Sequence, residues 1–230
     1  MTSGELADAT IVFDLDGTLV DTAPDLVRAL NETLALEGLP RVKLETVRTM
    51  VGQGARVLIE RAAARFGVSY QSERLEELTE TFVSFYRADI AGESRPFPGV
   101  EDALGSLAEL GAKLAVCTNK RTELSQALLQ ALSMTDWFAA VVGADAVAER
   151  KPHPDHYRAA VARAGGTLRR SVMIGDTVAD VAAARGAGAP VAVVAFGYCD
   201  EGAEKLGADV VLRSFSEVAP TCRRLLAARP

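Results

Sequence analysis

Thr10-Ile11-Val12-Phe13 is a β-branched and aromatic run that stops abruptly at Asp14, and the same grammar returns five more times along the chain. It recurs at Lys113 to Cys117 before Thr118, at Ala139 to Gly143, at Val172-Met173-Ile174 before Gly175-Asp176, at Val191 to Ala195 and at Val210-Val211-Leu212. Short apolar runs bounded by turn residues read as buried strands. Most are separated by helical spacing, such as Leu104, Leu107, Ala108 and Leu110, or Leu124, Leu128, Leu129 and Leu132. Strands that alternate with helices predict a doubly wound, parallel α/β sheet of Rossmann-like form. In such sheets ligands bind at the carboxyl ends of the strands, near a topological switch point. The polar residues that end the runs are therefore expected to converge.

One interval breaks the alternation. From about Thr22 to Glu93 no strand-like run occurs, and three helical patterns follow one another: Leu26, Leu30 and Leu34 after Pro24; Val57, Leu58 and Ala62; Leu75, Leu78, Phe82 and Phe85. Proline suits a first helical turn, and spacing of three to four residues suits a buried helix face. The expected organisation is a discontinuous α/β core over 1–20 and 94–230, with an all-helical insertion over 21–93. The turn-rich Arg95-Pro96-Phe97-Pro98-Gly99 returns the chain to the core.

Bulk properties narrow the function. An apolar content of 49% with 24% charged residues describes a chain able to bury a core, so disorder is excluded as the general state. A formal charge of −6, with basic runs no longer than Arg169-Arg170 and Arg223-Arg224, argues against a nucleic-acid partner, which would need a clustered basic surface. No run approaches the roughly 18 apolar residues of a membrane span, and no signal-peptide pattern is present. Cys117, Cys199 and Cys222 are odd in number and lack metal-site spacing, which suits reduced thiols in the cytoplasm. A monomer and a homodimer both remain open.

Asp14 and Asp16 stand two apart where the backbone leaves the first strand, next to Gly17, which can take torsions closed to other residues. Asp-x-Asp-Gly alone is compatible with an ordinary turn. In its full context, strand then Asp-Leu-Asp-Gly-Thr-Leu-Val-Asp, it resembles the first motif of the haloacid dehalogenase superfamily. Three further elements of that pattern occur in order. Thr118 follows a core strand, with Asn119 beside it; Lys151 stands in Lys151-Pro152-His153-Pro154 ahead of a helix; Asp176 and Asp180 lie in Gly175-Asp176-Thr177-Val178-Ala179-Asp180 after another strand.

The resemblance implies a phosphatase that uses Mg²⁺ on a small phosphorylated metabolite. Asp14 is the implied nucleophile, forming an aspartyl phosphate, and Asp16 the acid and base. Asp14, the backbone carbonyl of Asp16, and Asp176 are the implied metal ligands, in keeping with the oxygen preference of Mg²⁺. Asp180 is an outer ligand or an orienting group. Thr118, Asn119 and Lys151 would hold the phosphoryl group. Each residue has a plainer alternative: Thr118 or Asn119 as a helix cap, Lys151 as a surface lysine, Asp180 as the start of a helix, Asp21 as a helix N-terminal residue. His153 and His156 have no acidic metal-site context and are expected to be incidental.

An acid at position 16 favours phosphoryl transfer over dehalogenation at carbon. The helical insertion resembles a cap that closes over the site, and Val51-Gly52-Gln53-Gly54-Ala55-Arg56 either faces the substrate or merely breaks a helix. Asp21 to Leu26 and Arg48 to Ala55 are similar to bacterial phosphoglycolate phosphatases, which implies a two-carbon phosphorylated acid whose carboxylate pairs with Arg56. Pyrophosphate, a sugar phosphate, a phosphoglucomutase reaction and a non-catalytic binding role are the alternatives.

Overall fold

A computed structural model describes residues 4–199 and 202–228. The six runs form one parallel sheet of strands β1 (Thr10–Phe13), β4 (Lys113–Cys117), β5 (Ala140–Val142), β6 (Ser171–Gly175), β7 (Val191–Val194) and β8 (Val210–Leu212). Between β1 and β4 lie two further strands of two residues each, β2 (Val20–Asp21) and β3 (Arg95–Pro96), which pair antiparallel with each other. The order in the large sheet is β5-β4-β1-β6-β7-β8. The chain thus winds outward from β1 to one edge, then restarts at β6 on the other side. That reversal beside β1 is the switch point, and it puts the ends of β1, β4 and β6 side by side.

Alternate residues of each strand feed opposite cores, as the two-residue repeat of a strand requires. Ile11 and Phe13 of β1 join Leu114, Val116, Val172 and Ile174 in one cluster, covered by α5 (Val100–Glu109), α6 (Thr122–Ala131) and α9 (Val218–Ala227). Val12, Ala115, Cys117 and Met173 join the other, covered by α7 (Pro154–Arg163) and α8 (Val178–Gly186). Burial on both faces explains why these strands read as continuous apolar runs rather than alternating ones.

The interval expected to be helical contains α1 (Ala23–Leu36), α2 (Leu44–Arg48), α3 (Ala55–Ala64) and α4 (Ser72–Ala88). They enclose an apolar cluster of their own, including Leu30, Leu34, Ile59, Leu75 and Phe82, into which only Leu124 of α6 reaches from the other side among its buried members. The short α2 has no periodic signal at its length. The β2–β3 ribbon was also not anticipated: the chain leaves and re-enters the sheet region through one two-stranded link, with Val20 opposite Pro96 and Asp21 opposite Arg95. No helix among the described residues is long and apolar enough to cross a membrane.

Candidate active site

The loop leaving β1 is folded tightly back on itself. Gly17 takes φ +84°, its N–H donates to the Val20 carbonyl at 2.9 Å, and a Cβ on it would stand 2.4 Å from Asp176 Oδ2 and 2.7 Å from the Tyr198 ring. Only glycine meets both the torsion and the contact. The close approach brings Asp14 and Asp176, 162 positions apart in the chain, to one place.

Carboxylate oxygens of Asp14, Asp176 and Asp180, all buried, lie within 4.8 Å of one another. Lys151 inserts its ammonium among them, 3.0 Å from Asp14 Oδ1 and 2.6 Å from Asp180 Oδ1, and donates to the Cys117 carbonyl at 2.7 Å. Burial would lower the Lys151 pKa, but Asp14 and then Asp180 outweigh it and hold it above the ordinary lysine range. Burial pushes the Asp14 carboxyl up to about 7, with Lys151 pulling the other way. It raises Asp176 well above the usual carboxylate range as well, aided by the charges of Asp14 and Asp180.

These carboxyls differ in how their oxygens are engaged. Asp180 is saturated: Oδ1 takes Lys151, and Oδ2 accepts from the Asp176 and Thr177 N–H groups and from the Thr177 hydroxyl. It forms a capping box with Thr177 at the start of α8. Asp180 therefore starts a helix and orients Lys151 at once. Asp176 accepts from the Thr18 hydroxyl at 2.8 Å on Oδ1 and from the Tyr198 N–H at 2.8 Å on Oδ2. Asp14 Oδ1 takes the Leu15 N–H and Lys151, while Oδ2 has no hydrogen bond among the described residues.

The cluster suits a divalent cation. Three buried carboxylates against one ammonium leave two uncompensated negative charges when all are ionised, and the donors are oxygens throughout. Asp14 and Asp176 have the less committed oxygens; those of Asp180 are held by other partners.

Above this cluster a cavity of about 330 Å³ opens between the strand ends and the helical unit. Asp14, Asp16, Thr118 and Asn119 line its floor, and Gly52, Gly54 and Arg56 its opposite wall. Lys151 and Asp176 sit behind Asp14 and do not line it, and Gln53 is exposed outside it. Thr118 does not cap α6, whose N-cap is Arg121; its hydroxyl accepts the Lys120 N–H at 3.2 Å. Asn119 spans the two units, donating from Nδ2 to the Gly52 carbonyl at 2.9 Å and the Lys151 carbonyl at 3.1 Å. The Arg56 guanidinium is engaged on its own side, by Glu76 at 3.1 Å and Ser72 at 3.1 Å.

Several participants were not singled out from the sequence. Lys120 is buried and pairs with Asp16 Oδ1 at 2.8 Å, donates to the Tyr86 hydroxyl at 2.9 Å and lies 4.4 Å from that ring's centroid. Asp16 Oδ1 also accepts from the Thr22 hydroxyl. Tyr198 donates its hydroxyl to Asp21 Oδ1 at 2.6 Å and accepts the Ala23 N–H, while Asp21 Oδ2 takes Arg48 of α2 at 2.7 Å. Asp21 is thus a junction between the β2–β3 link, α2 and the Asp176 loop rather than a helix N-terminal residue. Adjacency to Thr118-Asn119 was the one available sign of Lys120; Tyr86 reads as an ordinary core position of α4. His156, buried, accepts the Lys151 N–H on Nδ1 at 3.1 Å and contacts the Val142 carbonyl through Nε2 at 3.1 Å, a structural support beneath the site.

A model of haloacid dehalogenase-like hydrolases matches residues 9–188. The chain belongs to that hydrolase family. It is similar to the phosphoglycolate phosphatase of Caulobacter vibrioides, with 52% identity over 226 residues, 98% of this chain and 95% of the relative. The phosphoglycolate phosphatase of Agrobacterium fabrum is 45% identical over 96% of this chain and 94% of its own. Among solved structures, a predicted phosphoglycolate phosphatase from Haemophilus somnus superposes with a TM-score of 0.86 at 28% identity, covering 94% of this chain and 98% of that one. With relatives of this kind over nearly its whole length, this hydrolase is a phosphoric monoester hydrolase, and its substrate is a small phosphorylated compound.

Proposed function

We propose that the chain hydrolyses 2-phosphoglycolate to glycolate and phosphate by way of an aspartyl phosphate on Asp14, with Mg²⁺ held by Asp14, Asp176 and the backbone carbonyl of Asp16. The observation that carries this reading is the placement of Asp14 and Asp16 together on the floor of one cavity, with Asp14 backed by Lys151. A cavity of about 330 Å³ is at the small end for ligand sites, which suits a small metabolite. The names of the Caulobacter and Agrobacterium relatives supply the substrate.

Asp14 Oδ2, which has no hydrogen bond among the described residues, attacks phosphorus as the bond from phosphorus to the glycolate oxygen breaks. Asp16 gives its proton to that departing oxygen, then takes one from the water that attacks the aspartyl phosphate and frees Asp14. Thr118 and Asn119 hold phosphoryl oxygens from the floor, and Lys151 offsets charge from behind Asp14. The bound cation supplies further charge neutralisation at the phosphoryl group. The helical unit of 21–93 acts as a cap over the core of 1–20 and 94–230, excluding bulk water from the cavity while the phosphoryl group passes to Asp14.

The test is a kinetic panel of phosphoglycolate, pyrophosphate, hexose phosphates and a chromogenic ester, each with Mg²⁺ and with chelator. Phosphoglycolate is expected to lead in kcat/KM by a wide margin and to lose turnover on chelation. Parity with hexose phosphates would reduce the reading to a broad phosphatase, and turnover undiminished by chelator would remove the metal from it.

A further inference from the structure

A two-carbon phosphorylated acid carries a carboxylate at the end away from phosphorus, and the cavity must meet it with something. Four basic side chains line the space: Arg56, Lys120, Arg121 and Arg150. Three are already matched. Arg56 faces Glu76, Lys120 faces Asp16 and the Tyr86 hydroxyl, and Arg121 pairs with both carboxylate oxygens of Glu80.

Arg150 differs. The residue is exposed where it lines the cavity, and its guanidinium makes no hydrogen bond and no ion pair among the described residues. It also lies directly beneath the opposite wall. Gly54 takes φ +83°, and a Cβ there would come within 2.9 Å of Arg150 Nη1 and 3.3 Å of the Asn119 carbonyl oxygen. Gly54 is held at a torsion that favours glycine, and the guanidinium packs against its bare Cα. A planar, always-charged fork with unused donors at the mouth of the cavity is suited to a carboxylate.

We infer that Arg150 is the specificity-determining residue that receives the substrate's carboxylate, in place of Arg56. The inference rests on the phosphoglycolate reading. It also explains why adjacent residues serve opposite ends of one small molecule: Lys151 turns inward behind Asp14, and Arg150 turns to the cavity rim.

The test compares 2-phosphoglycolate with ethyl phosphate, which keeps the two carbons and the phosphoryl group but lacks the carboxylate. Arg150→Met should lower kcat/KM for phosphoglycolate by about 10- to 100-fold, chiefly through KM, while ethyl phosphate stays within about twofold. Arg150→Lys should recover part of the loss. Equal losses on both substrates, or no loss on either, would overturn the assignment while leaving the phosphoglycolate reading intact. If the unaltered enzyme turned over the two esters equally well, that reading would fail first and the inference with it.

Discussion

The floor and the roof of the cavity are built by opposite means. The floor, with Asp14 and Asp16 at its surface, rests on a set of buried charges in which Asp176, Asp180 and Lys151 stand behind Asp14 near the ends of β1, β4 and β6. The roof is held by an apolar cluster within α1 to α4, and its charged groups are paired at the surface, as Arg56 is with Glu76 and Arg74 with Glu37. Surface pairs contribute about 0–1 kcal/mol each, whereas removing one partner of a buried pair costs about 3–5 kcal/mol. The two regions meet through Asn119 with Gly52, Lys120 with Tyr86, Arg121 with Glu80 and Arg87 with Glu123, and around the linking ribbon through Thr22 with Asp16, Tyr198 with Asp21 and Ala23, and Asp25 with Ser94. The buried charges are thus placed at the ends of the sheet strands, and the helical unit is joined to them by side-chain contacts and the two-stranded link.

Substitutions can break this contrast. The largest effect is expected at Asp14: Asp14→Asn should lower kcat by at least about 10³-fold, since groups acting in covalent catalysis are not replaced by their neighbours. Retained far-UV dichroism would show that the fold survived. Lys151→Met comes next and should cost both activity and about 3–5 kcal/mol of stability in denaturant titration, because Asp14 and Asp180 lose their buried partner. A Lys151→Met protein as stable as the parent would contradict the account of the floor.

The support beneath the floor is sensitive to pH. His156 is buried and its pKa is pushed down to about 4, first by burial and then by the Lys151 charge. The unfolded chain takes up its proton near pH 6.5 and the folded one only near 4, so the stabilising share of His156 is complete above the unfolded value and is lost as pH falls through that interval. The stability gap between the parent and His156→Gln should shrink by about 2–3 kcal/mol from pH 7 to pH 4. A gap independent of pH would remove the buried neutral histidine from the account. The smallest effect is expected at the seam between floor and roof: Arg121→Ala, which breaks the pair with Glu80, should change stability by less than about 1 kcal/mol.

The same contrast governs what could be read in advance. Sheet, strand ends and floor were legible because a parallel sheet buries both faces of its strands and spends its polar residues where each strand stops. Asp14, Thr118, Lys151 and Asp176 all follow from that rule together with the motif context. The roof was legible only as helices. Nothing in the spacing of α4 distinguishes Tyr86, whose hydroxyl meets Lys120, from Phe82, which merely fills the core. Arg56 stood out by its place after two glycines, yet the partner that occupies it, Glu76, lies on another helix. Arg150 carried no signal at all, since its significance lies in the counter-charge it lacks. Pairing across elements is a tertiary property, and periodicity within one element does not encode it.

The claim that the floor performs the chemistry is tested most directly by acid-quenched rapid mixing with phosphoglycolate, followed by mass spectrometry of peptides from the enzyme. One phosphoryl group should appear on the peptide containing Asp14, at a rate at least as fast as turnover, and should vanish as substrate is exhausted. Steady turnover with no such adduct on that peptide, together with an active Asp14→Asn protein, would contradict the account.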